Sequence, residues 1–137
     1  MAFTLAWSPE LATGDPLIDT QHQQLFAAAN ALYDAHRSGK GRKEVEQTMV
    51  FLVDYTINHF VEEEMFMQTH DYPEYLAHKE LHEAFKDVAQ ALMQKLFQDG
   101  PSDAFINEVY VAVGEWLLNH VRGEDLRIAA YIKAQTV

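Results

Sequence analysis

The chain has 137 residues, 48% of them apolar, and carries 21 acids against 10 bases for a formal charge of −11. That is enough apolar material for one sizeable core, and the acid excess argues against nucleic acid or an anionic membrane as partner, since both call for clustered Lys and Arg. The absence of cysteine excludes disulfides, thiolate zinc and iron–sulfur sites and thiol nucleophiles, and leaves open the use of seven histidines.

No repeat, low-complexity run or linker divides the chain. Residues 1–137 read as one domain, with an arm over 1–14, a bundle over about 15–121 and a tail over about 122–137. The arm holds Trp7, Pro9 and Gly14 and keeps no sustained period. It has neither the basic nor the apolar region of a secretory signal, and no window reaches the roughly 18 uncharged apolar residues of a membrane span. A cytoplasmic protein without membrane insertion is therefore expected, and it is taken to be a monomer.

Asp15 followed by Pro16 opens the first helix, with an N-cap side chain and then a proline where a missing N–H costs little. This helix should end at Ser38-Gly39-Lys40-Gly41. A second runs from about Arg42 to Met67, and Pro73 opens a third that fades at Gln98-Asp99-Gly100-Pro101. Ser102 or Asp103 caps a fourth that reaches at least His120, and Gly123 interrupts a short helical tail ending near Lys133.

Each predicted helix carries one stripe at steps of three and four. The stripes are Ile18, His22, Leu25, Ala29, Leu32, His36; Met49, Leu52, Thr56, His59, Glu63; His78, His82, Phe85, Ala89, Leu92, Leu96; and Phe105, Val109, Ala112, Trp116, His120. Four such helices with short connections predict an all-α, antiparallel up-down-up-down bundle.

His22, His59, Glu63, His78, His82 and His120 stand where that bundle wants apolar side chains. An unpaired buried imidazole or carboxylate costs several kcal/mol, so each needs a partner. Taken singly, each histidine reads most simply as a separately satisfied core or boundary residue. In an up-down bundle, however, the starts of helices one and three lie beside the ends of two and four, so all six fall in one layer. Independent structural histidines have no reason to share a level. The pairs His59/Glu63 and His78/His82 are i,i+4 steps, turned by about 40° and separated by about 6 Å along the axis, so each pair can reach one metal or two adjacent ones. Asp125 lies five residues past His120; five α-helical steps rotate about 140° and would turn it away, unless a wider turn near Gly123 brings it back. Spacing alone leaves Asp125 undecided.

With these residues assembled, the chain resembles the hemerythrins, in their single-domain bacterial form, over nearly its whole length. The resemblance rests on Trp7, Ile18-Asp19-Thr20-Gln21-His22, His59-Phe60-Val61-Glu62-Glu63-Glu64-Met65, His78-Lys79-Glu80-Leu81-His82, and Trp116-Leu117-Leu118-Asn119-His120 followed by Asp125. Myohemerythrin is a standard example of the up-down bundle, so the link between fold and family is general knowledge. The resemblance implies two irons. His78, His82 and His120 would ligate one and His22 and His59 the other, with Glu63, Asp125 and an oxo or hydroxo group bridging both. It also assigns Asp125, which spacing did not. That ligand set leaves one position open, on the iron with two histidines, where the family holds O2 reversibly as hydroperoxide. Leu25, Phe60, Trp116, Leu117 and Val121 match the residues lining the family's O2 pocket; plain core packing accounts for Leu25 or Phe60 equally well.

The function implied is a non-enzymatic carrier, store or scavenger of O2, supplying an O2-consuming enzyme. The alternatives are an oxidase- or peroxidase-type di-iron enzyme fed by an electron donor, or an O2 or redox sensor acting through a partner. His36 lies too far along the first helix to join the site and suits a helix C-terminal cation; His70 reads as a solvated loop residue, and Glu62 and Glu64 as surface charge.

Overall fold

The computed structural model describes residues 5–135, so the first four residues of the predicted arm and the last two of the tail lie outside the described residues. After a 3-10 turn at Pro9–Leu11 come α1 (Pro16–Arg37), α2 (Arg42–Thr69), α3 (Tyr75–Asp99) and α4 (Asp103–His120). A π-helical turn, Val121–Asp125, joins α4 to α5 (Leu126–Gln135). The described residues contain no strand. α1 packs on α2 and α4, and α2 on α3, while Phe85 of α3 stacks on Trp116 of α4, giving an antiparallel all-α bundle. No helix is long and apolar enough to cross a membrane among the described residues.

The helix starts follow from local chemistry. The Asp15 carboxylate accepts from the Ile18 N–H at 3.0 Å with Pro16 at the first helical position, and the Ser102 hydroxyl accepts from the Phe105 N–H at 3.1 Å. α3 differs from expectation: it begins at Tyr75, not Pro73. Asp71 takes a positive φ of 53° and the Tyr75 N–H bonds back to the Tyr72 carbonyl, so Pro73 sits in a tight turn instead of the first helical turn. α2 correspondingly continues past Met67 to Thr69.

The end of the bundle away from the histidines is a dry core of Leu32, Val45, Met49, Leu52, Val53, Leu96, Phe105, Ile106 and Val109. Four stripe positions depart from the predicted seams, Trp116 being half-buried against the core. Ala112 is exposed while Val113 is buried, because the buried face of α4 runs through Ile106, Val109, Tyr110, Val113 and Leu117. Leu92 is half-buried against the core. His36 leaves the seam, which Ala35 continues, and its Nε2 meets the exposed Asp103 carboxylate at 2.7 Å across the start of α4. The arm is pinned to the bundle at Leu5, whose N–H donates to the Tyr110 hydroxyl at 2.9 Å and whose carbonyl accepts from the Asn30 amide at 3.0 Å.

Candidate metal centre

The expected layer forms. His22 from the second turn of α1, His59 and Glu63 from α2, His78 and His82 from α3, His120 closing α4 and Asp125 closing the π turn are all buried at one end of the bundle. Asp125 reaches the layer because the turn after His120 is π-helical: its i→i+5 hydrogen bonding takes one extra residue into the turn and so offsets the rotation that an α-helix would impose. Gly123 in that turn has no positive φ, and a Cβ there would meet no atom within 4 Å, so the turn does not require glycine.

The donor atoms divide into two groups that share the carboxylates. Glu63 Oε1 lies 2.8 Å from His78 Nε2 and 3.1 Å from His82 Nε2, while Glu63 Oε2 lies 3.3 Å from His59 Nε2 and 3.5 Å from His22 Nε2. Asp125 repeats the division: Oδ1 is 3.1 Å from His78 Nε2 and 3.2 Å from His120 Nε2, and Oδ2 is 2.9 Å from His22 Nε2. One oxygen of each carboxylate therefore serves a three-histidine half, His78, His82 and His120, and the other serves the half containing His22 and His59. Each half could hold a metal ion, with donor atoms within 4.8 Å of one another.

The spacing suits coordination better than hydrogen bonding. The Nε2 of His120 is 2.9 Å from that of His78 and 3.2 Å from that of His82. Donors held at right angles about 2.1 Å from one ion are about 3.0 Å apart. His22 Nε2 and Asp125 Oδ2 approach to 2.9 Å without hydrogen-bond geometry, and both count among buried polar atoms lacking a hydrogen-bond partner, as donors aimed at a shared third partner should. Imidazole nitrogen with carboxylate oxygen is a donor set for iron or manganese more than for a soft metal.

The electrostatics are those of a cage of opposite charges. Burial opposes charging His22, but Asp125 and Glu63 outweigh it and lift its pKa to about 9. The same balance lifts His78 to about 9 and raises His120. Burial favours the protonated forms of Glu63 and Asp125, yet the surrounding imidazoles hold both below the usual carboxylate range.

Around the three-histidine half the walls are aromatic. Phe60 stacks on His82 at 3.9 Å between centroids, Trp116 stacks on His120 at 4.3 Å, and Phe85 stacks on Trp116 at 4.0 Å. Leu25, Phe60, Leu117 and Val121 are buried and Trp116 is half-buried against the same core. On the carboxylate side, a cavity of about 730 Å³ between the arm, the end of α2 and α5 is lined by Glu63, Asp125, Ile18, Phe66 and Ile128 among others. None of the five predicted pocket residues lines it.

Two polar neighbours were not legible as part of the site. Gln21 Oε1 accepts from His59 Nδ1 at 2.8 Å, and Glu64 Oε2 from His82 Nδ1 at 2.9 Å. Glu64, expected to be surface charge, is only 14% exposed. Such partners fix ring orientation and leave Nε2 free for a metal. Glu62 is exposed, as expected; His70, also exposed, ends α2 with its ring nitrogen 3.0 Å from the Phe66 carbonyl.

Comparison with known proteins identifies the family. Residues 13–132 match the family model of the hemerythrin HHE cation binding domain. The bacteriohemerythrin of Stenotrophomonas maltophilia (strain R551-3) is 37% identical over 131 residues, covering 95% of this chain and 82% of the relative. That of Methylococcus capsulatus is 34% identical over 126 residues, 91% of this chain and 93% of the relative. The crystal structure of a wild-type hemerythrin superposes with a TM-score of 0.80 at 27% identity, covering 93% of this chain and 97% of the other. The chain belongs to the hemerythrin family, alongside its single-domain bacterial members.

Proposed function

We propose that this chain binds O2 reversibly at a pair of iron ions, with His78, His82 and His120 on one, His22 and His59 on the other, and Glu63 and Asp125 bridging them together with an oxo or hydroxo group. The observation that carries this reading is the division of both carboxylates, oxygen by oxygen, between the two histidine groups. A bound iron pair would supply the electrons that hold O2 and release it again. The position for O2 is the one left open beside His22 and His59.

The protein's own contribution is orientation and exclusion. Gln21 and Glu64 hold two of the rings by their outer nitrogens. Leu25, Phe60, Trp116, Leu117 and Val121, buried or half-buried in the core that adjoins the cage, would supply the dry surroundings that reversible binding needs, since water would open competing reactions. In this reading the chain works as a monomeric cytoplasmic carrier, store or scavenger rather than as an enzyme, and hands O2 to a consumer. The large acid excess fits a partner other than nucleic acid.

The test is anaerobic reduction followed by one addition of O2, with visible absorption recorded and iron counted. Two irons per chain and an oxygenated spectrum that reverses when O2 is withdrawn are expected. Immediate conversion to the oxidised pair with release of peroxide, or sustained O2 consumption with an electron donor, would overturn the carrier and favour a redox enzyme.

A further inference from the structure

The two halves of the centre differ in the charge held behind their imidazoles. His59 and His82 occupy corresponding roles: each turns Nε2 toward Glu63 and presents Nδ1 outward to a single side-chain oxygen at nearly the same distance, 2.8 and 2.9 Å. Behind His59 that oxygen belongs to the neutral amide of Gln21. Behind His82 it belongs to the carboxylate of Glu64. The outer nitrogens of His22 and His78 are buried without a hydrogen-bond partner. Among the described residues, Glu64 is thus the anion hydrogen-bonded to the outer nitrogen of a ring in the cage.

The chemical consequence is directional. A carboxylate accepting the Nδ1 proton draws that proton outward and gives the ring partial imidazolate character, which makes Nε2 a stronger donor. A stronger, more negative donor favours the higher charge on whatever ion it binds. An amide accepts the same proton without bringing a net charge. Glu64 is also largely removed from solvent, and its partner ring is fully buried under Phe60, so water screens the effect little.

We propose that Glu64 is a positioning residue that biases the three-histidine half of the centre toward the oxidised state, while Gln21 keeps the half with the open position electronically neutral. This rests on the metal-pair reading above. The asymmetry would let the half that does not face O2 carry the more stable oxidised charge, and leave the O2-facing half free to change its coordination.

The test compares metal-loaded wild type, Glu64→Gln, Glu64→Asp and Gln21→Glu by mediator titration followed in visible absorption, with metal counted in each. Glu64→Gln keeps an oxygen for His82 but removes the charge. At a fixed applied potential its ratio of oxidised to reduced centre should fall about tenfold, equivalent to about 59 mV for one electron. Glu64→Asp, which keeps the charge, should recover at least part of the shift, and Gln21→Glu should move the ratio in the opposite direction. An unmoved potential in Glu64→Gln at full metal content would overturn the proposal. So would shifts of the same sign in Glu64→Gln and Gln21→Glu, or metal loss from Glu64→Gln with no shift in the loaded fraction, because each marks a packing role. A wild-type chain that takes up no metal pair would instead defeat the reading on which the proposal stands.

Discussion

At the scale of single residues, Glu63 is the most connected side chain of the cage, meeting all five histidines within 3.9 Å. Glu63→Ala is expected to lower bound metal from two ions per chain to one or none, measured by metal analysis after gel filtration; full retention of both ions would refute the bridging role. The same contacts set a pH dependence in the metal-free protein. His22 and His78 have pKa values of about 9 against 6.5 ordinarily, so their stabilising charge is complete below about pH 6.5 and is lost as pH rises through about 9. Glu63 and Asp125 are shifted down, so their contribution is present above their ordinary range near 4 and lost as pH falls below it. Metal-free protein should therefore melt highest between about pH 5 and 6.5. Metal uptake should strengthen over the alkaline range in which that stability declines, because ligation needs neutral imidazoles. Thermal melts across pH, with and without metal, check both trends.

At the scale of elements, the π turn and the arm carry separate predictions. Nothing near Gly123 would obstruct a Cβ, and its backbone needs no positive φ. Gly123→Ala should change stability by less than about 1 kcal/mol and leave metal content intact. Loss of metal would mean that the turn depends on glycine after all. For the arm, Tyr110→Phe removes the hydroxyl that donates to Asn30 and accepts from the Leu5 N–H. A cost of about 1–3 kcal/mol in denaturant unfolding is expected, with faster proteolysis in the arm and unchanged metal content. The helices themselves were largely readable in the sequence, because caps such as Asp15-Pro16 and Ser102 act locally. The start of α3 was not: a proline that could open a helix was taken up by a turn whose geometry Asp71 sets. Ala112 and Val113 show the limit of periodicity, since a stripe drawn through four-helix spacing tolerates a shift of one residue until a neighbouring helix chooses the buried side.

At the scale of the whole molecule, the bundle separates a dry packing end from a polar end. Leu32→Ala, in the dry end, should cost about 2–5 kcal/mol without altering metal stoichiometry, whereas metal removal should lower the melting temperature of the wild type because a metal held by the assembled cage stabilises only the folded chain. Equal melting temperatures with and without metal would show that the cage satisfies itself.

The sequence by itself determined the bundle, its helix order and six of the seven buried polar side chains of the layer, because 3.6-residue periodicity projects any polar residue on an apolar stripe into the core, and antiparallel order puts helix starts beside helix ends. The tertiary structure decided what no period encodes. It brought Asp125 inward through a π turn, which breaks the very regularity that sequence reading relies on. It also recruited Gln21 and Glu64: each lies one position from a residue of the layer, His22 and Glu63, turned about 100° off the stripe, and only the helix passing beside it makes it a partner to a ring instead of a solvated side chain.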